Sequence, residues 1–411
     1  MTIPAIQARL RSAAAAVAAA AMLTTATAAD AAAGTSTADR LMSAQGALAA
    51  RLLDNLAGKN ATANIVVSPA SLAGALAAIE LGADEQLRRM LHLTLGFQKS
   101  AAPSIDFDAL RTATGRTSDD GPLASANAVV FDRATAPFPA ALEALKRAGI
   151  RATVEDFAKP ATLEAINAWV SEKTRGKIPT ILDELPHDAG LVALNALYFK
   201  DRWKQPFAAA ETRTAPFRLV GGQSIDTPLM HASERKFRFR QDGRFVAVEL
   251  AYASEGYSMV VVTTRRDPAA AKEFTRLGAW LAGEGFAESP GEVALPRFKA
   301  GANQDLMPAL RAMGLQPQST LPGFSRGQLH LAKAQQRVEL AVDEEGTEAA
   351  AATAVTATRS AESEFVKLTA DKPFAFALRD QRSGLIVLCG YIGNPQIAGA
   401  SASDAPVGKT P

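Results

Sequence analysis

The chain of 411 residues is long enough for one large domain or for two to three small ones. Apolar residues make up 48% and charged residues 21%, which excludes a wholly disordered chain. The 44 basic and 42 acidic side chains give a formal charge of +2, too balanced for a protein that binds nucleic acid through a basic surface. Cys389 is the single cysteine, so no intramolecular disulfide can form, and none of the four histidines stands at ligand spacing from another. We therefore expect neither a metal site nor a cofactor.

Residues 1–28 have the pattern of a secretory signal peptide. Arg9 and Arg11 precede an apolar run at 13–23, and small residues follow at 24–29. The apolar run is too short to span a bilayer, which needs about 20 residues. An Ala-rich helical tail is the alternative. Cleavage after Ala28 would make the protein secreted or periplasmic, with no membrane attachment afterwards.

Helices are expected mainly in the first half of the remaining chain. Apolar spacing predicts an amphipathic helix at 39–56. Ser68 followed by Pro69 predicts the capped start of an almost wholly apolar helix that ends near 81. A third helix is expected at 162–174, with Ile166, Trp169 and Val170 on one side.

Strands are expected mainly in the second half. They are predicted at 191–199, 236–250 with a hairpin turn at Asp242-Gly243, 257–263, 293–298, 336–342, 374–378 and 385–392. Helices mostly first and strands mostly later indicate an α+β fold. We expect one continuous domain at 38–396, followed by a flexible tail at 397–411 that is rich in Ala, Ser, Gly and Pro.

The pentapeptide Gly323-Phe324-Ser325-Arg326-Gly327 matches the GxSxG pattern of a hydrolase nucleophile. That motif needs a buried strand before the serine and a helix after it. Here a polar, proline-terminated stretch precedes it, and only His330 follows, with no acidic residue between. We predict a surface turn and no enzymatic activity.

The segment from 342 to 364 has an unusual composition. Acidic residues surround Gly346, and residues 349–358 then read AAAATAVTAT, with no charge, proline, glycine or bulky side chain. A linker or an Ala-rich helix is the simpler interpretation, since alanine favours helices. However, four of the ten residues are β-branched, which favours a strand, and linkers rely on the Gly, Pro and charge that are absent here. Such a strand-competent segment is an aggregation risk that sequences normally interrupt. Its presence suggests that the segment must itself become a strand.

In this segment the chain resembles the serpin family, and the resemblance extends over nearly all of residues 40–396. Residues 344–354, EEGTEAAAATA, are similar to the family's inhibitory hinge. Other similar blocks occur in the same order as in the family, at 64–71, 166–178, 195–203, 249–259, 295–298, 371–374 and 393–395. The resemblance implies a metastable α+β fold with three β-sheets, about nine helices and an exposed reactive-centre loop.

The resemblance also implies a mechanism. A serine protease cleaves the loop, forms its acyl-enzyme, and is trapped when the loop inserts as a new strand into the main sheet. The protein would be a monomer whose partner is the protease, held in a covalent complex. The implied hinge residues are Glu344, Glu345, Gly346, Thr347, Glu348, Ala349, Ala350, Ala351 and Ala352. A non-inhibitory serpin-like binding scaffold is the alternative function.

By resemblance, six residues form the region where the main sheet opens: Ser68, Ser71, Asn195, Gln336, Trp203 and Arg297. Gln336 stands where the family often has a histidine, and its amide can still donate and accept hydrogen bonds. Asp201 stands where a glycine is common, with no consequence assigned. We further predict an ion pair between Glu344 and Arg297, near Trp203. Because no basic helix face is visible, activation by a polyanion is not expected.

The scissile bond is predicted at Arg359–Ser360. The commonest family spacing, fourteen positions after the hinge glycine, gives Ser360–Ala361, whereas a register one residue shorter gives Arg359–Ser360. Arginine offers a trypsin-like pocket charge-assisted hydrogen bonds that serine cannot offer. A bond nearer Val355, suited to an elastase-like enzyme, is a third alternative.

Overall fold

The structure is a computed structural model that describes residues 37–57, 63–97, 110, 121–186, 190–316, 320–327, 329–347 and 364–396. The predicted signal peptide at 1–28 and the predicted tail at 397–411 lie outside the described residues. So do five of the predicted hinge residues, 348–352, and the candidate scissile-bond residues Arg359, Ser360 and Ala361.

Eight α-helices lie within the described residues, against the expectation of about nine for the whole chain. They are α1 Thr37–Leu56, α2 Pro69–Glu80, α3 Glu85–Leu95, α4 Pro139–Arg147, α5 Pro160–Lys173, α6 Ala271–Phe274, α7 Gly278–Leu281 and α8 Met307–Ala312. Short 3-10 turns occur at Arg133–Thr135 and Ala209–Glu211. The three helices predicted from the sequence are confirmed, with small shifts at their ends.

Helix α2 begins where its N-terminal residues predict. Ser68 has an extended backbone, and its hydroxyl accepts a hydrogen bond from the amide of Ser71 (3.2 Å), while Pro69 takes the first helical position. Ten of the twelve residues of α2 are buried, as expected of a helix that is apolar on nearly every face. The helix therefore lies inside the main core.

Sixteen strands complete the described part. They are β1 Ile65–Val67, β2 Leu123–Asp132, β3 Arg151–Glu155, β4 Leu191–Phe199, β5 Asp201–Arg202, β6 Arg213–Arg218, β7 Ser224–Gln241, β8 Phe245–Ala251, β9 Tyr257–Thr264, β10 Ala287–Pro296, β11 Phe298–Asp305, β12 Leu331–Val342, β13 Gly346–Thr347, β14 Val366–Thr369, β15 Phe374–Asp380 and β16 Leu385–Ile392.

The strands form three sheets, as predicted. A nine-stranded sheet has the order β1-β16-β15-β9-β8-β7-β10-β14, with β6 paired to β7. A five-stranded sheet has the order β11-β12-β4-β2-β3, and β13 pairs with β5 in a small third sheet. The mixture of helices with these sheets confirms the α+β class.

The five-stranded sheet is the one that positions the candidate site. All nine residues of its central strand, β4, are buried, which agrees with the uninterrupted apolar run that predicted it. Strand β12 pairs directly and in parallel with β4, and Gln336 is the register partner of Asn195. The two central strands are therefore in contact with each other along this register.

Two predictions about local structure are wrong. The strand expected at 293–298 is the junction of two strands, because β10 ends at Pro296 and β11 begins at Phe298. The turn at 323–327 is not confined to the surface: Phe324 and Ser325 are buried, and the Ser325 hydroxyl donates to the carbonyl oxygen of Thr135 (2.5 Å). The hydroxyl also accepts from the amide of Gly327 (3.1 Å), so it stabilises the turn. Cys389 is buried in β16, and burial raises the pKa of its thiol.

Candidate functional site

The hinge begins as a tight turn that docks against the end of the central strand. The amide of Asp343 donates to the carbonyl oxygen of Gly346 (2.9 Å), and β13 then pairs antiparallel with β5, placing Gly346 opposite Arg202 and Thr347 opposite Asp201. Gly346 has a φ of +153°, and a Cβ at this position would lie 2.2 Å from the carbonyl oxygen of Asp201. Both features require glycine at the start of the hinge.

Thr347 is fully buried, although it is a polar residue at the edge of the loop segment. Its hydroxyl forms a hydrogen bond of 2.8 Å with the hydroxyl of Tyr252. The Tyr252 ring in turn stacks on Trp203, with ring centroids 4.4 Å apart and planes inclined by 19°. Thr347, the last described hinge residue, is thus buried and bonded to a tyrosine whose ring is itself held by stacking on Trp203.

The predicted ion pair between Glu344 and Arg297 is confirmed. Arg297 donates from Nε to both carboxylate oxygens (2.9 and 2.8 Å) and from Nη2 to Oε1 (2.6 Å). The Glu344 side chain is 8% exposed and that of Arg297 is 48% exposed, so the carboxylate is buried while the guanidinium reaches solvent. Burial by itself would raise the pKa of Glu344, but hydrogen bonds from Arg297 and Thr212 outweigh it and lower the pKa.

Trp203 and Phe207 donate hydrogen bonds to the backbone of the acidic turn at residues 343–346. The Trp203 indole donates to the carbonyl oxygen of Asp343 (2.9 Å), and the Trp203 amide donates to that of Glu345 (2.8 Å). The Phe207 amide donates to the carbonyl oxygen of Glu344 (2.9 Å). Every backbone carbonyl of this turn therefore has a donor, and Trp203 lies beside the hinge as predicted.

The predicted residues Ser68, Ser71 and Gln336 lie close together, where β12 contacts the start of α2. The side-chain amide of Gln336 pairs with the backbone of Ser68: its oxygen accepts from the Ser68 amide (2.7 Å), and its nitrogen donates to the Ser68 carbonyl (3.2 Å). The Ser68 hydroxyl donates to the carbonyl oxygen of Val387 (2.6 Å) and lies 2.7 Å from the hydroxyl of Ser71. Glutamine thus joins β12 to the start of α2 with an uncharged side chain.

A polar row crosses the five-stranded sheet at this level. Asn127, Asn195, Gln336 and Gln304 are successive register partners on β2, β4, β12 and β11. Asn195 donates from Nδ2 to the side-chain oxygen of Asn127 (2.5 Å). The Asn195 side-chain oxygen is buried and has no hydrogen-bond partner in the described part of the structure, which leaves one strong acceptor vacant beside the β4–β12 contact.

Sequence reasoning missed several residues of this region. Asn127 lies on β2, Gln304 on the part of β11 beyond the predicted strand, and Tyr252 and Thr212 in connecting segments. Asn127 and Gln304 join the row only through strand register, for which the sequence carries no local signal. The Tyr252 hydroxyl contacts a residue 95 positions away, and such a contact likewise depends on the folded chain.

Asp201, which stands where the resemblance makes a glycine common, accepts hydrogen bonds in β5, just beyond the end of the central strand. Its carboxylate oxygens accept from the amides of Arg202 (2.8 Å) and Ser254 (3.1 Å). Burial raises the pKa of this carboxyl despite those donors. The aspartate therefore fixes the strand against which the hinge docks.

Among the described residues, no cluster of three or more His, Cys, Asp or Glu side chains could hold a metal ion. None of the helices in the described ranges is both long and apolar enough to cross a membrane.

Comparison with known proteins identifies the family. Residues 43–395 match the family model "Serpin (serine protease inhibitor)". Human Serpin B8 is 30% identical over 376 residues, which cover 87% of this chain and 100% of that protein, and the leukocyte elastase inhibitor of Sus scrofa is 30% identical over 380 residues with the same coverage. A crystal structure of maspin shares the fold, with a TM-score of 0.77 at 21% identity over 87% of this chain and 100% of that one.

The chain belongs to the serpin family, which is described as a family of serine protease inhibitors. Leukocyte elastase inhibitor and antithrombin-III, both among its 30% identical relatives, are named for inhibition of proteases. The family assignment thus supports protease inhibition and gives no reason to assign an enzymatic activity.

Proposed function

We propose that this protein is a suicide-substrate inhibitor of serine proteases that traps the acyl-enzyme by inserting its cleaved loop between β4 and β12. One observation carries the proposal. The two strands pair directly in parallel, while Gly346 and Thr347 already pair antiparallel with β5, one residue beyond the end of β4. A strand that continued from Thr347 would therefore run antiparallel to both neighbours, which is the arrangement that an inserted loop requires.

After insertion, alternate residues of the loop would face the protein core, and these residues are small or β-branched: Thr347, Ala349, Ala351, Thr353, Val355 and Ala357. Side chains alternate across a strand, so this set would share a face with Asn195. Small side chains need little repacking beneath α2, which favours insertion that is fast compared with hydrolysis of the acyl-enzyme. Slow insertion would allow the protease to complete its reaction and leave.

We propose a trypsin-like target that cleaves Arg359–Ser360. Arg359 is the only basic residue between Arg337 and Lys367, so a protease with an acidic primary pocket finds one cationic side chain there. Ser360–Ala361 is the alternative bond. The N-terminal sequence supports a secreted or periplasmic protein, which we propose acts as a monomer.

The decisive experiment is incubation of the mature protein with trypsin. The expected result is a covalent complex that survives boiling in detergent, together with a fragment released from residue 360 onward, identified by mass spectrometry. An Ala351→Arg variant should be cleaved at the same bond without trapping the enzyme, whereas Ala351→Ser should trap as well as the wild type. Simple cleavage of the wild type would instead indicate the non-inhibitory scaffold.

A further inference from the structure

Phe365 is an aromatic side chain that the fold leaves in solvent. It is 57% exposed, and Leu93 on α3 is the other large hydrophobic residue that is exposed in the described ranges. Phe365 directly precedes β14, where Val366 and Leu368 are buried and Lys367 is exposed. By strand alternation Phe365 lies on the outward side with Lys367. An isolated exposed phenylalanine needs no explanation by itself, so its surroundings decide what it can do.

The chain next to Phe365 is anchored by a series of hydrogen bonds. Glu364 Oε2 accepts from Gln241 Nε2 (3.4 Å), and Gln241 Oε1 accepts from Arg265 Nη1 (2.8 Å). The Arg265 amide donates to the carbonyl oxygen of Arg244 (2.8 Å), which joins this series to the β7–β8 turn. Phe365 is thus held between an anchored glutamate and a paired strand. A residue whose backbone is already ordered loses less conformational entropy when a partner binds it.

Phe365 is also close to the proposed scissile bond along the chain. Phe365 is five positions after Ser360, and a fully extended chain spans at most about 3.6 Å per residue, so the two lie within about 18 Å of each other. A standard protein–protein interface buries about 800 Å² on each partner, equivalent to a disc roughly 16 Å in radius. The maximum separation is comparable to this radius, so the contact area of a protease bound at Arg359–Ser360 can extend to Phe365.

We propose that Phe365 is a second contact site for the protease that binds the scissile bond, and that it packs against an apolar patch beside the enzyme's active-site cleft. The inference rests on the proposed function and deepens it. Aromatic anchors dominate the energetics of many interfaces, and this one lies outside the residues that enter the primary pocket. This contact strengthens the initial complex with the protease, which forms before cleavage and insertion.

The test measures that encounter directly. Trypsin with its nucleophilic serine replaced by alanine binds without cleaving, and its Kd is measured with the wild type, Phe365→Ala, Phe365→Tyr and Leu93→Ala. We expect Phe365→Ala to weaken binding about fivefold or more, Phe365→Tyr to restore it, and Leu93→Ala to leave it unchanged. With active trypsin, Phe365→Ala should lower the second-order rate constant by the same factor while the number of inhibitor molecules consumed per enzyme stays constant.

The outcomes separate the two proposals. Equal Kd values for the wild type and Phe365→Ala, with normal trapping by both, overturn the second contact site and leave the proposed function intact. A wild-type protein that neither binds nor traps trypsin overturns both. Weakening by Leu93→Ala to the same extent as Phe365→Ala also overturns the site, because the effect would not depend on position. Thermal unfolding midpoints equal to that of the wild type would show that the substitutions leave the stability of the fold intact.

Discussion

Thr347 and Asp201 are paired across an antiparallel ladder that lies in line with the central strand of the five-stranded sheet. If the loop continued as a strand from Thr347, each step along it would correspond to one step back along β4 and, from the turn closed by Asp343 and Gly346, one step back along β12. In that inserted state Thr353, six residues after Thr347, would lie opposite Asn195 and opposite Gln336. Those two residues are already register partners, so the two strands need to separate but not to slide when the loop inserts.

This register predicts a role for the Thr353 hydroxyl. In the inserted state it would donate to the vacant side-chain oxygen of Asn195. Thr353→Val keeps the shape and removes the donor, so we expect the cleaved, inserted form to lose about 1–3 kcal/mol of stability, with the uncleaved form unaffected. Denaturant unfolding of both forms measures this. Thr356→Val, on the opposite face, serves as the matched control, and an equal loss in the two variants would contradict the register.

Removal of Arg297 should destabilise the closed sheet. Arg297→Ala leaves the buried carboxylate of Glu344 without its guanidinium partner, and we expect a loss of about 1–3 kcal/mol in the free energy of unfolding, between the values for exposed and buried pairs. Arg202→Ala is the control, because Arg202 contacts the more exposed Glu345 at 3.6 Å and should cost at most about 1 kcal/mol. Chemical denaturation measures the loss in unfolding free energy for both variants. Equal losses would show that the ion pair of Glu344 stabilises the fold no more than that of Glu345.

The same ion pair predicts a pH dependence. The pKa of Glu344 is lowered in the folded protein, so its stabilising contribution is complete above the usual glutamate pKa of about 4.3 and is lost as the pH falls through the lower folded value. The pKa values of Asp201 and Asp343 are raised by burial, which acts in the opposite direction. The difference in unfolding free energy between the wild type and Glu344→Gln isolates Glu344. It should be constant near neutral pH and shrink below about pH 4; a difference that grows on acidification would contradict the assignment.

Tyr252 should hold the hinge through its hydroxyl. Tyr252→Phe keeps the stacking on Trp203 and removes the hydrogen bond to Thr347, which we expect to cost about 1 kcal/mol locally. Amide hydrogen exchange at Gly346 and Thr347 should become faster by about fivefold. Tyr257→Phe, which changes a neighbouring tyrosine with no hydrogen bond to Thr347 among those described, should leave that exchange rate unchanged. Equal exchange rates in all three proteins would show that the hydroxyl does not hold the hinge.

Arg359 should decide which protease is trapped. Arg359→Ala removes the cationic side chain from the proposed primary position and should abolish trapping of trypsin-like enzymes, while the thermal unfolding midpoint stays nearly constant. Arg359→Lys is the conservative control and should retain trapping at a reduced rate. Full trypsin trapping by Arg359→Ala would move the scissile bond elsewhere.

Local sequence determined those parts of the protein whose physical cause is local. The apolar run of β4, the Ser68-Pro69 start of α2 and the Asp242-Gly243 hairpin are each specified by adjacent residues, and each occurs where the sequence predicts it. The hinge glycine, and the pairing of Glu344 with Arg297, could also be predicted, in the second case through family resemblance. These features need no knowledge of which strands become neighbours.

Tertiary structure alone decided the rest. Strands β2 and β3 and helices α3 and α4 were not predicted, and β2 supplies Asn127 to the polar row. The vacant Asn195 oxygen, the burial of Ser325 and the hydrogen bond between Tyr252 and Thr347 likewise appear only in the folded chain. The reason is that strand pairing joins residues far apart in sequence, and a one-residue change of register would turn every side chain of a strand to the other face. Composition and spacing specify which segments form strands, but only the packed sheet fixes which residues stand opposite one another.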